Sequence, residues 1–138
     1  MNCRPFDSSR RDWQILHSIC YGCGSENVKK SYAYIRTAQW QGGERFFCDI
    51  FEDGVAFFAG SRGQGHIRIV DLAVMLTRQR AGLGTQIMLY EIARARSGGI
   101  RKMTLRTAMN EHGRDFWASL GGKITGRRGE DWEMELKF

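Results

Sequence analysis

One stretch, residues 66–85, constrains the fold more than any other part of this sequence. Residues 66–75 are the most continuous apolar segment with strand character, and a turn follows them. Gly82 and Gly84 then open an amphipathic helix. One face of that helix is apolar and carries Leu83, Ile87, Met88, Ile92 and Ala95. A buried strand that runs into such a helix predicts an α/β domain.

The surrounding pattern adds further elements. Two helices are predicted before the strands, one after the capping residues 7–9 and one over residues 25–38. The other predicted elements are strands at 45–51, 55–59, 102–109 and 132–138 and a short helix at 114–120. Turns are predicted at 52–54, 60–65 and 126–131. No repeat or linker interrupts the 138 residues, so we expect residues 1–138 to form a single mixed α/β sheet domain.

The charge balance suggests an anionic partner. Lys and Arg number 21 against 15 Asp and Glu, which gives a net charge of +6, and only five of the basic residues are Lys. Arg favours planar, bidentate contacts with phosphate or carboxylate groups. A net charge of this size also simply keeps a small protein soluble, so both interpretations stay open.

Hydropathy and cysteine usage limit the possible locations. No apolar run approaches the ~18 residues of a membrane span, and the first residues lack the apolar segment of a signal peptide. We therefore expect a cytoplasmic protein with reduced thiols. Cys20 and Cys23 form a CxxC pair with His17 nearby, which is compatible with a zinc or redox site. Because no second ligand pair follows, we expect buried cysteines and no bound metal.

The turn before the helix that Gly82 and Gly84 open has the chemistry of an anion site. Glycines allow main-chain N–H groups to approach a ligand closely, and the start of a helix carries partial positive charge. Arg78 and Arg80 flank the turn with further donors. The dinucleotide fingerprint would need glycine where Ile87 stands, and the Gly-Lys-Ser/Thr of a P-loop is absent. Glycine pairs also serve helix packing, so spacing alone leaves phosphate binding and packing equally open.

Several motifs resemble those of one enzyme family. The segment Gln-Arg-Ala-Gly-Leu-Gly at 79–84 resembles the Q/R-x-x-G-x-G/A acetyl-CoA signature of the GNAT acetyltransferase superfamily. The preceding strand residues 72–74 are similar in spacing to the histone-acetylating branch. Arg4-Pro5 followed by Asp12 resembles the usual opening of the family. Asn110 and the segment 116–121 resemble its downstream N…FY..LGF segment.

The resemblance implies a fold and a cofactor site. The implied fold is a single-domain GNAT-like α/β fold, in which a mixed sheet of about six to seven strands splays between strands 4 and 5 and about four helices flank it. Acetyl-CoA is the implied co-substrate, with its pantetheine arm in the gap and its pyrophosphate on the amides of 79–85. The implied coenzyme-binding residues are Leu72, Ala73, Val74, Gln79, Arg80, Ala81, Gly82, Leu83, Gly84, Thr85, Asn110 and Trp117.

The implied reaction is direct acetyl transfer from coenzyme A to a primary amine. A strand amide near Ala73 or Val74 is expected to polarise the thioester carbonyl. The family position that often holds a catalytic Glu falls at Arg68, which cannot accept a proton at neutral pH. Asp71 is the alternative general base, but it shares a sheet face with Arg68 only if a bulge intervenes; a salt bridge with an Arg is its other possible role.

A second departure from the family pattern is Trp117, which stands where many relatives have the Tyr that protonates the leaving thiolate. We expect Trp117 to line the coenzyme site. Two alternatives stay open for the proton: it comes from Tyr90, Ser119 or water, or the enzyme has no dedicated acid. Asn110 either contacts the pantetheine or caps the helix that begins near Arg114.

The acceptor is less constrained. It is expected to be an amine of a small molecule or protein, facing residues 44–53, 60–65 or 126–131, and a homodimer is possible. Arg127 and Arg128 could equally meet an acidic peptide or nucleic acid. Two other functions stay open: a catalytically silent GNAT-like module that binds coenzyme A or a protein partner, and a nucleic-acid-modifying or nucleic-acid-binding protein.

Overall fold

A computed structural model describes residues 1–40, 45–109 and 113–138. Within these ranges the strands are β1 (Cys3–Pro5), β2 (Phe46–Phe51), β3 (Ala56–Gly63), β4 (His66–Val74), β5 (Lys102–Ala108), β6 (Lys123–Arg128) and β7 (Asp131–Lys137). The helices are α1 (Arg10–Gly22), α2 (Glu26–Trp40), α3 (Leu83–Ser97) and α4 (Gly113–Ser119), and a 3₁₀ turn spans Leu76–Arg78. None of the described helices is both long and apolar enough to cross a membrane.

The seven strands form one mixed sheet in the order β1-β2-β3-β4-β5-β7-β6. Among the described strands only β4 and β5 pair in parallel, because α3 carries the chain back between them. All other neighbours are antiparallel. The mixed α/β sheet with about six to seven strands and four helices is therefore confirmed.

Helices cover both faces of the sheet. The face under α3 buries a large cluster that includes Phe51, Phe58, Ile69, Ile87, Met88 and Met103. The face under α1 and α2 buries a second cluster that includes Leu16, Ile19, Ile35, Cys48, Phe57 and Ala73. Each central strand thus has apolar side chains on both sides, which explains why β3 and β4 read as nearly continuous apolar runs rather than alternating ones.

A β-bulge interrupts the pairing of β3 with β4. Ala59 pairs with Asp71 and Gly60 with Ile69, so Val70 is the extra residue on β4. Glycine is required opposite the bulge, because a Cβ at position 60 would lie 2.7 Å from the carbonyl oxygen of Arg68. The bulge shifts the alternation of side chains along the second half of β4.

The turn predictions and the edges of the sheet need correction. The predicted turn at 60–65 is only Gln64 and Gly65, since Ser61, Arg62 and Gly63 continue β3 by pairing with β4. The predicted turn at 126–131 is only Gly129 and Glu130. The strand pattern also missed β1 and β6. Both are edge strands whose residues are partly or fully exposed, so neither carries the apolar pattern of a strand packed on both faces.

Candidate active site

The two parallel strands separate after three residue pairs. The described ladder between β4 and β5 joins His66 to Lys102, Ile67 to Met103 and Arg68 to Thr104. From Ile69 onward the edge of β4 that faces β5 has no ladder partner among the described residues. The expected splay between strands 4 and 5 is therefore confirmed, and it leaves unpaired strand backbone that a ligand can reach.

A cavity of about 160 Å³ occupies this gap and is called the cleft below. Residues 69–72 of β4 line one side and residues 105–108 of β5 the other. The start of α2 contributes Ser25, Asn27 and Val28, and α4 contributes Gly113 and Trp117. Trp117 is 7% exposed, so its indole closes the cleft as a largely buried wall. The cleft thus combines apolar sides with hydroxyl, amide and carboxylate groups.

The bulge at Val70 brings Asp71 to the same sheet face as Arg68. Before the bulge Ile67 and Ile69 pack under α3, and after it Leu72 and Val74 do so. Asp71 must then lie on the face of α1 and α2, which also buries Ala73. Asp71 accordingly acts on the Cys20 thiol of α1: burial and, secondarily, the charge of Asp71 raise the pKa of Cys20 to about 12.

A second groove lies where β4 ends and α3 begins. Arg80 and Gly82 both have left-handed backbone, with φ of 65° and 81°, and this reverses the chain into the helix. The groove has a volume of about 300 Å³. It is lined by Leu72, Val74, Gln79, Arg80, Gly82, Leu83, Gly84, Thr85 and Phe116. Together with the cleft, it follows β4 from Ile69 to the start of α3.

The start of α3 fits a diphosphate. The first main-chain N–H groups of any helix lack partners within it, and in the described part of the chain no side chain caps those of α3. The first turn carries no acidic residue, and Arg78 and Arg80 lie beside it. Gly84 approaches Phe116 so closely that a Cβ there would lie 3.4 Å from its ring. The uncapped N–H groups, the partial positive charge of the helix start and the open groove beside it together suit a dianionic ligand.

Gln79 fixes the turn between β4 and α3. Its side-chain Nε2 donates to the carbonyl oxygens of Cys23 and Val74, each at 2.7 Å. Its main-chain N–H donates to the carbonyl oxygen of Leu76. Gln79 therefore joins the end of α1 to the end of β4, and the amides that follow it in the turn and helix are left for an anion.

Four other residues that the sequence suggested for the site do not place a side chain in either cavity or lie outside the described residues. Ala73 is buried under α1 and α2, so it can offer only its backbone to a ligand. Ala81 is exposed in the turn before α3, outside the residues that line the groove. Asn110 lies outside the described residues. Tyr90 packs edge-on against Phe51 of β2. Its ring therefore lies over β2, away from the cleft between β4 and β5, and cannot return a proton there.

Sequence reasoning missed several residues that line the two cavities. One of them is Phe116, whose ring lines the groove. Ser119, which was considered as a proton donor, donates to the carbonyl oxygen of Phe116 on its own helix. Ser25, Asn27 and Thr107 supply polar groups in the cleft. The alternation of β5 could have identified Thr107, but the contribution of α2 depends on tertiary packing.

The cysteines and acidic residues also form a separate cluster. Among the described residues the one group of potential metal ligands is Cys3, Asp49 and Glu91, not the CxxC pair, whose members are both buried. Arg94 is 2.9 Å from Asp49. Burial and the neighbouring Asp49 raise the pKa of the Glu91 carboxyl to about 8. A proton on Glu91 accounts for its close approach to a second carboxylate.

Comparisons with known proteins agree with this architecture. The PaiA N-acetyltransferase of Thermoplasma acidophilum, solved in complex with coenzyme A, superposes with a TM-score of 0.79 at 16% identity over 100% of both chains. The ribosomal-protein-S18-alanine N-acetyltransferase of Escherichia coli gives 0.76 at 18% identity, covering 99% of this chain and 94% of that one. An aminoglycoside 6′-N-acetyltransferase complexed with coenzyme A gives 0.73 at 16% identity, covering 99% and 97%.

At these identities the solved structures show a shared fold. None of the curated proteins matches this chain in sequence. The sequence profile of the acetyltransferase (GNAT) family, in contrast, matches residues 11–121, which include α1, the cleft, the groove and α4. The chain therefore belongs to the acetyltransferase (GNAT) family.

Proposed function

We propose that this chain is an acetyl-CoA-dependent N-acetyltransferase that moves an acetyl group from coenzyme A to a primary amine. The observation that carries the proposal is the continuity of two features: an open strand edge on β4 and the uncapped start of α3. An extended ligand can pair with the first through its backbone-like amides and place a diphosphate at the second. Acetyl-CoA has both parts and supplies an activated acetyl thioester.

The residues that would hold the coenzyme divide by chemistry. Main-chain N–H groups of Leu83, Gly84 and Thr85 would bind the diphosphate, with Arg80 adjacent. Leu72 and Val74 would line the pantetheine arm, and their strand backbone would hydrogen-bond to it. Trp117 would exclude water from the thioester end of the cleft. Such fixed positioning is a large contribution when two substrates must meet.

The chemistry asks for a proton acceptor near the amine. Attack of the neutral amine forms a C–N bond and breaks the C–S bond, so the amine loses a proton and coenzyme A leaves as thiolate. Asp71 is on the cleft-facing side of β4 and would accept this proton, while a strand amide near Ala73 or Val74 would stabilise the charge on the carbonyl oxygen. Trp117 cannot protonate the thiolate, which would therefore take its proton from water.

A coenzyme-binding module without acetyl transfer is the alternative that two residues favour. Arg68 cannot act as a base, and Trp117 cannot act as an acid. This alternative needs the same groove but no reaction in the cleft.

The test separates binding from transfer by changing Asp71 to Asn. The wild-type protein, incubated with acetyl-CoA and a pooled amine library, is expected to give acetylated products by mass spectrometry. Asp71→Asn should lower kcat/KM by about 100-fold or more and remove the acidic limb of the pH–rate profile, with coenzyme A binding retained. Coenzyme binding by the wild type without any acetylated product would contradict the proposal and support the silent module.

A further inference from the structure

The sheet face that carries Asp71 continues beyond the cleft into a second cavity of about 160 Å³. Three arginines from three different strands line it, together with two threonines and one acidic residue: Arg68, Arg106, Arg128, Thr104, Thr125 and Glu133. The two cavities share Leu105 and Arg106, so they are contiguous. We call this second cavity the arginine pocket.

Only part of the positive charge in the arginine pocket is balanced. Arg106 lies 3.1 Å from Asp131, and Arg128 lies 3.0 Å from Glu133. Arg68 has no acidic partner within salt-bridge distance among the described residues. Its guanidinium is therefore available to a ligand, beside hydroxyl donors that can complete the coordination of an anion.

A neighbouring histidine responds to the same charge. His66 is half-buried, and its Nε2 lies 2.7 Å from the hydroxyl of Thr104. Burial, followed by the positive charges of Lys102 and Arg68, lowers the pKa of the imidazole, and Glu135 opposes this only in part. The positive charges of Lys102 and Arg68 thus add to burial in disfavouring a further cation at His66.

We infer that the acceptor is a small amine that also carries a carboxylate or phosphate, with its amine at Asp71 and its anionic group in the arginine pocket. This inference rests on the proposed acetyltransferase function. Arg68 and Asp71 are three residues apart on one strand face, and at about 3.3 Å per residue their Cα atoms are separated by roughly 10 Å or slightly less across the bulge. The small volumes of both cavities suit a compact acceptor whose two charged groups are about as far apart as Asp71 and Arg68.

The first experiment measures acetyl transfer to matched acceptors. A series of ω-amino acids of increasing chain length is compared with the corresponding primary amides, and phosphoethanolamine with ethanolamine. The acid or phosphate member should have a kcat/KM higher by about tenfold or more, since a charge-assisted contact replaces a neutral one. The preference should peak at one chain length. If the amides and ethanolamine react as fast as the acids and phosphoethanolamine, the inference is wrong while the acetyltransferase function stands.

The second experiment assigns the preference to a residue. Arg68→Gln should reduce the acid-to-amide ratio towards one through a higher KM for the acid, and Arg68→Lys should retain part of it. Arg101→Gln removes an equal charge from an exposed position outside both cavities and should leave the ratio unchanged. An unchanged ratio in Arg68→Gln would overturn the inference. Failure of the proposed function would give a different result: the wild type would acetylate no amine in the series, although calorimetry shows that it binds coenzyme A.

Discussion

At the scale of single residues, the buried carboxyl of Glu91 makes the stability of the protein depend on pH. It is 3% exposed, its Oε1 has no hydrogen-bond partner among the described residues, and Asp49 lies next to it. Burial and Asp49 raise its pKa from 4.5 to about 8. Between these values the folded protein keeps a proton that the unfolded chain has lost. Stability from this group is therefore complete below pH 4.5 and is lost as the pH rises through about 8.

The prediction is that Glu91→Gln removes this pH dependence, because the amide stays neutral and can donate to Asp49. Urea denaturation of both proteins between about pH 5 and pH 9 measures it. Asp12 does not interfere, since hydrogen bonding to Arg4 lowers its pKa to about 2 and keeps it ionised throughout. The wild type should lose stability relative to the variant as the pH rises. Parallel curves for the two proteins would refute a protonated Glu91.

The sequence predicted the turn and the helix start that form the groove, but not the contacts that single side chains make there. Gly82 and Gly84 signal a turn and a helix start by residue type alone, and the structure has both there. The use of the Gln79 side chain to join α1 to β4 depends on contact between residues 56 positions apart. The contact between Asp49 and Glu91 likewise could not be predicted from sequence, since the two residues meet only when α3 packs on β2.

At the scale of elements, the bulge between β3 and β4 decides which side chains reach the cleft. Alternation alone would have put Asp71 and Arg68 on opposite faces, and one extra residue reverses this. A bulge has no reliable signature in a single sequence. Gly60 is the residue that comes closest to such a signature, but glycine is required there only because the Arg68 carbonyl oxygen approaches position 60 in the folded sheet. The edge strands β1 and β6 were not predicted, because their residues are partly or fully exposed and carry no apolar pattern.

Gly60→Ala is expected to destabilise the protein by roughly 1–3 kcal/mol, because its Cβ would force β3 away from the bulge. Gly63→Ala is the matched control on the same strand, where the nearest atom is the His66 carbonyl oxygen at 3.8 Å. That change should be neutral or slightly stabilising. Chemical denaturation measures both. Equal stability of the two variants would show that the bulge does not depend on glycine.

At the scale of the whole molecule, the account depends on the fixed relation between the splayed strands and the start of α3. The α/β order and the helix opened by glycines were accessible from sequence, because each depends on local residue type and periodicity. The splay between strands 4 and 5 was implied by the family resemblance. The arginine pocket was not accessible, since it gathers side chains from β4, β5, β6 and β7, and β6 itself was not recognised. The acceptor is consequently the part of the function that needed the structure.

The most direct measurement is calorimetric titration of coenzyme A into two glutamate variants. Gly82 and Gly99 have nearly the same backbone, with φ of 81° and 86°, and a Cβ at either meets nothing within 4 Å. Gly82→Glu places a carboxylate at the start of α3, where it repels a diphosphate and competes for its donors; Gly99→Glu places one beyond the other end. The account predicts tight binding by the wild type and by Gly99→Glu, and binding weaker by about 100-fold or more in Gly82→Glu. Equal affinity of the two variants, or no binding by the wild type, would contradict it.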